Sequence, residues 1–194
     1  MKIYTDCDGV LLDWYGHFEI WMGKRGYPVK RRPNNLDGTT LMETYDITKE
    51  VHDELTEEFN SSAWIGFVPP LRDSVKYVRE LFETKGVTFH VISSMGTDKF
   101  AHKLRTENLK RFYGEAITDF TYIPIFHSKK EVLSEWKNNG YFWIEDKPRN
   151  AQTGVDLGYT SILMNHSYNQ MYRTVNASNE MIFVNNWREI YELL

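Results

Sequence analysis

After Pro70, short apolar segments alternate along the chain with segments whose apolar residues recur at helical spacing. The predicted strands of this region are residues 87–92, 120–126, 141–144, 159–164 and 181–184, and the predicted helices are residues 72–84, 98–112, 129–138 and 187–194. One more strand is predicted at residues 2–5. Strands that alternate with helices are typical of a parallel sheet covered on both faces. The sequence therefore predicts an α/β fold, in which ligands bind at the carboxyl ends of the strands.

The residues between the first strand and the alternating region are interpreted as an insertion into the domain. The chain has 194 residues, which is large for one minimal domain and small for two. Helical patterns occur at residues 11–22 and 46–59, and the stretch 23–40 has the composition of a loop. Either Asp46 or Thr48 is expected to cap the second of these helices. We therefore expect one domain with a sizeable helical insertion.

Composition and charge exclude several classes of protein. The formal net charge is −4 and the pI is about 5.9, which argues against general nucleic-acid binding because that needs a basic surface. Cys7 is the only cysteine, so no intramolecular disulfide can form and a reducing compartment is expected. The N-terminal residues lack the apolar stretch of a signal peptide, and no apolar run has the length of a membrane span. We therefore expect a cytoplasmic protein that does not bind membranes.

Chemically reactive side chains follow four of the predicted strands. They are Asp6, Cys7, Asp8 and Gly9 after the first strand, Ser93 and Ser94 after the second, Ser128, Lys129 and Lys130 after the third, and Glu145 and Asp146 after the fourth. Carboxylates, hydroxyls and an ammonium that meet in one crevice can perform metal-assisted phosphoryl transfer through a covalent aspartyl phosphate. We therefore expect a small phosphorylated substrate.

The first of these segments carries the two acids of this chemistry. Asp6, when ionised, can attack phosphorus in line. Asp8 can protonate the leaving oxygen and later accept a proton from water. Gly9 permits a sharp turn after the strand, so that backbone N–H groups can face phosphate oxygens. The side chain of Cys7 should point away from both acids, and we expect it to lie in the core.

The second and third segments offer groups that bind phosphate. Ser93 can donate a hydrogen bond to a phosphate oxygen, and Ser94 lies beside it in the sequence. A lysine of the third segment can neutralise charge on the phosphoryl group and on the nucleophile. The residues alone leave both Lys129 and Lys130 open for this role.

The fourth segment offers oxygen ligands for a cation. Asp146, with Glu145 beside it, suits Mg²⁺, which prefers oxygen ligands and usually binds one or two protein carboxylates. The cation is needed because an anionic nucleophile and an anionic phosphate repel each other. The six histidines are scattered without the spacing of a zinc site. We therefore expect Mg²⁺ rather than Zn²⁺ as the cofactor.

Each segment also has a simpler interpretation. An Asp-x-Asp-Gly sequence is often an ordinary turn, serines commonly end strands, and lysines usually face solvent. A calcium-binding loop that begins at Asp6 would need Gly at its sixth position and Glu at its twelfth, where this chain has Leu11 and His17. The ordered occurrence of all four segments after predicted strands favours the catalytic interpretation.

The four segments resemble motifs one to four of the haloacid dehalogenase-like superfamily. The resemblance rests on residues 6–10 (DCDGV), Ser93, the Lys129–Lys130 pair and residues 144–146 (IED), and it spans nearly the whole chain. Dehalogenases of this superfamily lack an acid at the position of Asp8, and its transport ATPases have Thr there. The resemblance therefore implies a phosphatase or phosphotransferase.

The same resemblance implies the architecture. It predicts a Rossmann-like parallel sheet flanked by helices, with a small helical cap inserted after the first strand. Residues 1–13 and 70–194 would form the core, and residues 14–69 would form the cap. Caps of this kind exclude water and select the substrate.

A closer resemblance is to the 5′(3′)-deoxyribonucleotidases of the cytosolic type C group. It rests on residues 6–13 (DCDGVLLD), 67–71 (FVPPL), 144–148 (IEDKP) and 186–190 (NWREI). In that group the cation is bound by the carboxylate of the nucleophile, the backbone carbonyl of the second aspartate and the last acid of motif four. The resemblance therefore implies that Asp6, Asp8 and Asp146 bind Mg²⁺ and that Glu145 orients a water on the metal.

The chain also departs from this group at several positions. Ser93 stands where the group often has Thr, and Glu145 stands where it has Asp. The interval from the lysine to motif four is longer. Lys129 fits a pattern with a leucine four residues later, whereas Lys130 fits the nucleotidase alignment, so both lysines stay candidates.

The predicted cap contains candidate substrate-binding residues. Trp14, Phe18, Trp64 and Phe67 are aromatic residues that can stack on a nucleobase, although membership of the cap's own core is the simpler interpretation for each. Basic residues of the predicted loop can steer an anionic substrate, and a solvated loop face is again the simpler interpretation. These residues are Lys24, Arg25, Lys30, Arg31 and Arg32.

The sequence therefore predicts a Mg²⁺-dependent phosphomonoesterase, and the nucleotidase resemblance implies nucleoside monophosphates as substrates. One alternative keeps the chemistry but changes the substrate to a sugar phosphate, another small phosphomonoester or a polynucleotide 3′-phosphate. Another is a non-catalytic binding module with the same fold, which the presence of all the expected acids disfavours. The sequence leaves open the preferred base and sugar, and whether the chain forms a homodimer.

Overall fold

The computed structural model of the protein describes residues 1–31, 40–125, 127–137, 140–175 and 181–194. The strands are β1 Lys2–Thr5, β2 Thr88–Met95, β3 Ile117–Pro124, β4 Phe142–Glu145, β5 Thr160–Met164 and β6 Met181–Val184. The α-helices are α1 Trp14–Lys24, α2 Leu41–Tyr45, α3 Lys49–Ser61, α4 Ser74–Lys85, α5 Lys99–Tyr113, α6 Lys130–Ser134, α7 Pro148–Asp156, α8 Gln170–Val175 and α9 Trp187–Leu193. Short 3-10 helices lie at Ala63–Phe67 and Gly114–Ala116.

The six described strands form one parallel sheet in the order β3-β2-β1-β4-β5-β6, which confirms the predicted α/β fold. Strand β1 pairs with β2 on one side and with β4 on the other, where Thr5 is opposite Ile144. The chain therefore builds the sheet outward from β1 in one direction and then, from β4 onward, in the other. In such sheets ligands bind at the carboxyl ends of the strands where the direction changes, which here are the ends of β1 and β4.

Both faces of the sheet are buried, as is usual for parallel strands. Successive residues of a strand point to opposite faces, so Ile3 of β1 packs into the large core together with Leu109 of α5 and Trp187 of α9. Tyr4 packs on the other face with Trp143 of β4. The sheet therefore holds the strand ends in a rigid frame between two layers of helices.

Some elements differ from the prediction for identifiable reasons. Helix α7 has no predicted counterpart because its buried face contains only Ala151 and Gly154, which give no apolar periodicity. Pro148 at its first turn is the sequence signal that marks its start. Strand β3 begins at Ile117 rather than at residue 120, and Pro124 is tolerated there because β3 lies at an edge of the sheet.

Other predicted features lie partly outside the described residues. Phe126 at the predicted end of a strand, Asn138 at the predicted end of a helix and Arg32 of the basic loop are among these. Helix α6 is shorter than predicted, and α2 and α8 were not predicted. In the part of the chain that the structure describes, no helix combines the length and the apolar composition that crossing a bilayer requires.

The described residues between 14 and 69 contain three α-helices, α1 to α3. Thr48 caps α3 by accepting a hydrogen bond from a backbone N–H of its first turn, whereas Asp46 ends α2 with a positive φ of 56°. The rings of Trp14 and Phe18 stack with centroids 4.5 Å apart, and Phe59 of α3 packs edge-on against both. Aromatic packing therefore joins α1 to α3.

Candidate active site

The acidic ends of β1 and β4 lie side by side. The backbone N–H of Asp6 donates to the carbonyl of Ile144 at 2.8 Å, which continues the pairing of the two strands. One carboxylate oxygen from each of Asp6, Glu145 and Asp146 lies within 4.8 Å of the others. All three side chains are buried. Acids from distant parts of the sequence thus meet in one place.

Lys129 is the lysine that reaches these acids. Its ammonium lies 2.8 Å from Oδ1 of Asp6 and 2.7 Å from Oε1 of Glu145. Burial works against the charge of Lys129, but the two carboxylates raise its pKa above the ordinary value, so the ammonium stays protonated. Lys130 is exposed at the start of α6. The structure therefore places Lys129 against the acids and Lys130 on the surface.

Glu145 is completely buried and accepts hydrogen bonds at both of its oxygens. Oε1 accepts from the side chains of Lys129 and Asn150, each at 2.7 Å. Oε2 accepts from the backbone N–H groups of Asp146 and Lys147 at 2.8 and 2.7 Å. Burial works to raise the pKa of Glu145, but Lys129 and these hydrogen bonds lower it to about 2. A carboxylate with this many donors is better suited to orient its neighbours than to coordinate a cation.

The two carboxylate oxygens of Asp146 differ in their hydrogen bonding. The hydroxyl of Tyr168 donates to Oδ2, whereas Oδ1 is buried and has no hydrogen-bond partner among the described residues. Burial, followed by the charge of Glu145, raises the pKa of Asp146 well above its ordinary value. An unpaired, buried carboxylate oxygen is unfavourable unless a cation binds it. The residues present therefore fit a divalent cation held by Asp6 and Asp146.

Asp6 is fixed by contacts to one of its oxygens. Oδ1 accepts from the backbone N–H of Cys7 at 2.7 Å and also contacts Lys129. Burial raises the pKa of Asp6 more than Lys129 lowers it, and nearby carboxylates add to the rise, so that the pKa is about 7. A divalent cation next to a carboxyl group favours its ionised form, which is the nucleophilic form.

Asp8 pairs with an arginine that the sequence analysis did not single out. Arg105 of α5 is completely buried, and its Nη1 and Nη2 donate to the two carboxylate oxygens of Asp8 at 2.6 and 3.4 Å. The same Nη1 lies 3.3 Å from Sγ of Cys7. A guanidinium that contacts both oxygens fixes the orientation of a carboxylate. A single arginine within a helical pattern carries no sequence signal of such a role.

Ser93 and Gly9 have features that suit phosphate binding. Oγ of Ser93 is buried and, within the described ranges, has no hydrogen-bond partner. Gly9 has a φ of +75°, and a Cβ at this position would lie only 2.5 Å from Oδ2 of Asp146. Both the backbone conformation and the close approach therefore require glycine.

A cleft with a volume of about 330 Å³ opens beside these groups. Asp8, Ser94 and Lys147 line it on the side of the sheet, and Trp14 and Tyr15 of α1 line it on the opposite side. Residues of the helices α1, α2 and α3 thus line part of the cleft. Lys147 is an exposed residue that also lines the cleft, and the sequence did not predict a role for it.

The four aromatic residues predicted for the cap occupy different places. Trp14 lines the cleft, whereas Phe18 is buried behind it. Trp64 packs against the imidazole of His17 with centroids 5.1 Å apart. The ring of Phe67 is 63% exposed and has the guanidinium of Arg111 over it. Only Trp14 of this set is therefore positioned to touch a ligand in the cleft.

Helix α3 presents a polar face to the cleft, formed by His52, Thr56 and Asn60. Oγ1 of Thr56 is buried without a hydrogen-bond partner in the described part of the chain. Oδ1 of Asn60 accepts a hydrogen bond from Nε1 of Trp14 at 2.9 Å. The spacing of four residues places the three side chains on one face. The four-residue spacing was a signal from which this polar face could have been predicted. Only the apolar face of the helix was predicted from the sequence.

The family model described as "5′ nucleotidase, deoxy (Pyrimidine), cytosolic type C protein" matches the chain over residues 1–194. None of the curated protein sequences matches this chain. The family match spans both acidic strand ends, the buried lysine and the helices that line the cleft.

Several solved structures are similar to this chain. A haloacid dehalogenase-like family hydrolase from Streptococcus pneumoniae has a TM-score of 0.64 and 13% identity over 99% of this chain and 97% of its own. A protein described as a predicted phosphatase from Clostridium acetobutylicum has a TM-score of 0.63 and 15% identity over 99% and 96%. D,D-heptose 1,7-bisphosphate phosphatase from Burkholderia thailandensis has a TM-score of 0.59 and 11% identity over 98% and 96%. At these identities the similarity shows a shared fold.

Proposed function

Because the chain belongs to the cytosolic type C 5′-nucleotidase family of phosphatases, we propose that it removes phosphate from (deoxy)nucleoside monophosphates in the cytosol. The proposed reaction depends on Mg²⁺ and passes through a covalent phosphate on Asp6. The main support is the buried carboxylate of Asp6, which contacts Lys129 and lies in one acidic cluster with Asp146, whose Oδ1 has no hydrogen-bond partner among the described residues. This arrangement combines a nucleophile, a fixed positive charge and a cation ligand at one strand edge.

In the first step, an ionised oxygen of Asp6 attacks phosphorus. A bond forms between that oxygen and phosphorus, and the bond from phosphorus to the nucleoside oxygen breaks. Asp8 gives its proton to the leaving oxygen, so the nucleoside departs as a neutral alcohol. Arg105 contacts both oxygens of Asp8 and so restricts where this proton is delivered.

In the second step, water attacks the phosphorus of the aspartyl phosphate. Asp8, now ionised, accepts a proton from that water, and the bond between phosphorus and Asp6 breaks. Inorganic phosphate leaves, and both acids return to their starting states. The same carboxyl group thus acts first as acid and then as base.

The remaining residues balance the charge of the phosphate. Lys129 offers a fixed ammonium, and Ser93 offers a hydroxyl that has no other partner in the described chain. Asp6 and Asp146, together with the backbone carbonyl of Asp8, would hold Mg²⁺, which supplies positive charge where two anions must meet. Glu145 keeps Lys129 in place from the side opposite Asp6.

The cleft favours a small substrate over a polynucleotide. Its volume of about 330 Å³ lies near the lower end of the usual range for small-molecule sites, about 300–1,000 Å³. His52, Thr56 and Asn60 of α3 offer hydrogen-bonding groups that suit the polar edge of a base. Lys147 offers a positive charge beside the acids. These features support a nucleoside monophosphate.

A panel of phosphomonoesters tests this proposal. We expect phosphate release from nucleoside 5′-monophosphates to exceed release from sugar phosphates and from a 3′-phosphorylated oligonucleotide. EDTA should abolish the activity, and added Mg²⁺ should restore it. The measurement is inorganic phosphate released per unit time at matched substrate concentrations, with and without the chelator.

The outcomes of this panel separate the alternatives. A clear preference for a sugar phosphate would reject the nucleotide substrate while keeping the chemistry. Activity that survives EDTA would reject the role of the cation. No phosphate release from any compound, although Mg²⁺ binds, would favour a binding module instead of an enzyme.

Replacement of Asp8 by Asn is expected to slow the reaction in a way that depends on the leaving group. Loss of general acid–base catalysis costs about 10²–10⁴-fold with a nucleoside, because its alkoxide is a poor leaving group. The loss of rate in formation of the aspartyl phosphate should be much smaller with p-nitrophenyl phosphate, whose phenolate leaves without a proton. Single-turnover kinetics with both substrates measure this difference.

Asp119→Asn is the matched control for this experiment. Asp119 is an acid of the edge strand β3, where it pairs with Lys2 on the surface. The Asp119→Asn variant should react with both substrates at rates near those of the wild type. Equal losses with both substrates in Asp8→Asn would argue against proton donation by Asp8.

A further inference from the structure

The segment that follows β5, residues 165–169, connects the two acidic strand ends. Asn169 donates from Nδ2 to the backbone carbonyl of Asp146 at 2.6 Å and to that of Met164 at 2.8 Å. Tyr168 donates from its hydroxyl to Oδ2 of Asp146. Two neighbouring residues of this segment therefore hold both the backbone and the side chain of one acid.

The same segment also contacts the turn after β1. His166 lies 2.7 Å from the carbonyl oxygen of Gly9 through Nε2, and since that oxygen can only accept, Nε2 carries the proton. The imidazole stacks on the ring of Tyr168 with centroids 4.9 Å apart and planes 6° apart. The ring of Tyr15 also lies near that of Tyr168, with centroids 4.6 Å apart. The phenol thus packs against two rings while its hydroxyl donates to Asp146.

We infer that Tyr168 is a positioning residue for Asp146 in the cation site. Its hydroxyl donates to Oδ2, which leaves the buried Oδ1, an atom without a hydrogen-bond partner in the described ranges, to be presented to the cation. Hydrogen bonds to a ligating carboxylate fix its orientation, and their loss typically weakens metal binding about 10–100-fold. This inference rests on the proposed function only in that both place a divalent cation beside Asp6 and Asp146.

If Tyr168 had a purely structural role, its replacement would have a different effect on cation binding. Its ring packs against Tyr15 and His166, and Phe preserves those contacts. If packing were its whole contribution, Tyr168→Phe would bind the cation as the wild type does. The hydroxyl alone separates the two interpretations.

The test measures binding of Mn²⁺, as a spectroscopic substitute for Mg²⁺, by electron paramagnetic resonance. Tyr168→Phe should bind Mn²⁺ about 10-fold or more weaker than the wild type, and it should remain folded at the temperature of the measurement. Tyr172→Phe is the matched control, because the Tyr172 hydroxyl donates to Gln152 of α7 and, among the described residues, is not seen to bond to the cation site. An affinity of Tyr168→Phe within twofold of the wild type would overturn the inference.

A double substitution tests whether Tyr168 acts through Asp146. In an Asp146→Asn background the residual Mn²⁺ affinity should not fall further when Tyr168 is changed to Phe. An equal additional loss in that background would overturn a role through Asp146. Because binding is measured without turnover, failure of the wild type to hydrolyse nucleotides would reject the proposed substrate and leave the Mn²⁺ results to judge this inference separately.

Discussion

Replacing Asp6 by Asn is expected to abolish phosphate release, with a loss of roughly 10⁵-fold or more, the order seen when a covalent catalyst loses its nucleophile. An amide oxygen cannot form the acyl phosphate on which the proposed mechanism depends. The fold should tolerate the change, because Asn has nearly the same shape as Asp and the ammonium of Lys129 keeps its second carboxylate partner, Glu145, at 2.7 Å. Loss of the negative charge at this position is therefore not expected to unfold the protein.

Acid-quenched reactions with ³²P-labelled substrate measure the intermediate directly. The wild type should retain label on the protein during turnover, and Asp6→Asn should retain none. Asp119→Asn, with its surface acid on β3, should behave as the wild type. Near wild-type turnover in Asp6→Asn would disprove the covalent mechanism.

Replacing Lys129 by Met is expected to have the largest effect on stability. The ammonium lies between two buried carboxylates, those of Asp6 and Glu145, at 2.8 and 2.7 Å. Removing one partner of a buried ion pair leaves charge without compensation and typically costs about 3–5 kcal/mol of the free energy of unfolding. We expect a loss of this size by urea denaturation in EDTA, where no cation can replace the missing charge. Turnover should fall as well, because Lys129 contacts Asp6, the proposed nucleophile, and would neutralise charge on the phosphoryl group.

Lys130→Met is the matched control, since Lys130 is the next residue in the chain and is exposed. Surface substitutions usually change the free energy of unfolding by less than about 0.5 kcal/mol. The same substitution is therefore expected to lower the free energy of unfolding strongly at Lys129 and only slightly at Lys130. A loss below about 1 kcal/mol for Lys129→Met, or equal effects of the two variants on turnover, would contradict the assignment of Lys129.

The acids of the site could be predicted from the sequence because of a property of parallel sheets. Neighbouring strands end at the same edge, so Asp6 and the Glu145–Asp146 pair had to lie close together if β1 and β4 were adjacent. The alternation of strand and helix patterns was sufficient to predict the sheet. The pairing of β1 with β4 itself depends on tertiary packing, and the sequence did not predict the order of the strands.

Other parts of the site could not be predicted, because they depend on which way a side chain faces. Lys129 and Lys130 are identical residues at adjacent positions, and only the packing of α6 places one of them against the acids. Arg105 lies in a helix that contacts the site from one side, and nothing in its local sequence distinguishes it from a solvated arginine. Tyr168 lies after β5, a strand whose end carries no acidic motif.

The aromatic residues of segment 14–69 illustrate a further limit. The sequence showed four aromatic side chains that could stack on a base, but composition cannot distinguish a binding surface from a core. In the structure Trp14 lines the cleft and Phe18 stacks behind it. Both interpretations therefore apply within one segment, to residues one helical turn apart.

The order of the strands also affects how the protein folds while it is synthesised on the ribosome. β1 is synthesised before its neighbour β4 and before the segment 165–169. A nascent chain that ends before residue 140 would carry Asp6 on an unpaired sheet edge, where exposed backbone groups invite association with other chains. Such a chain has neither Glu145 nor Asp146, so the proposed cation site can form only after these residues have been synthesised, and the edge of β1 stays open until β4 pairs with it.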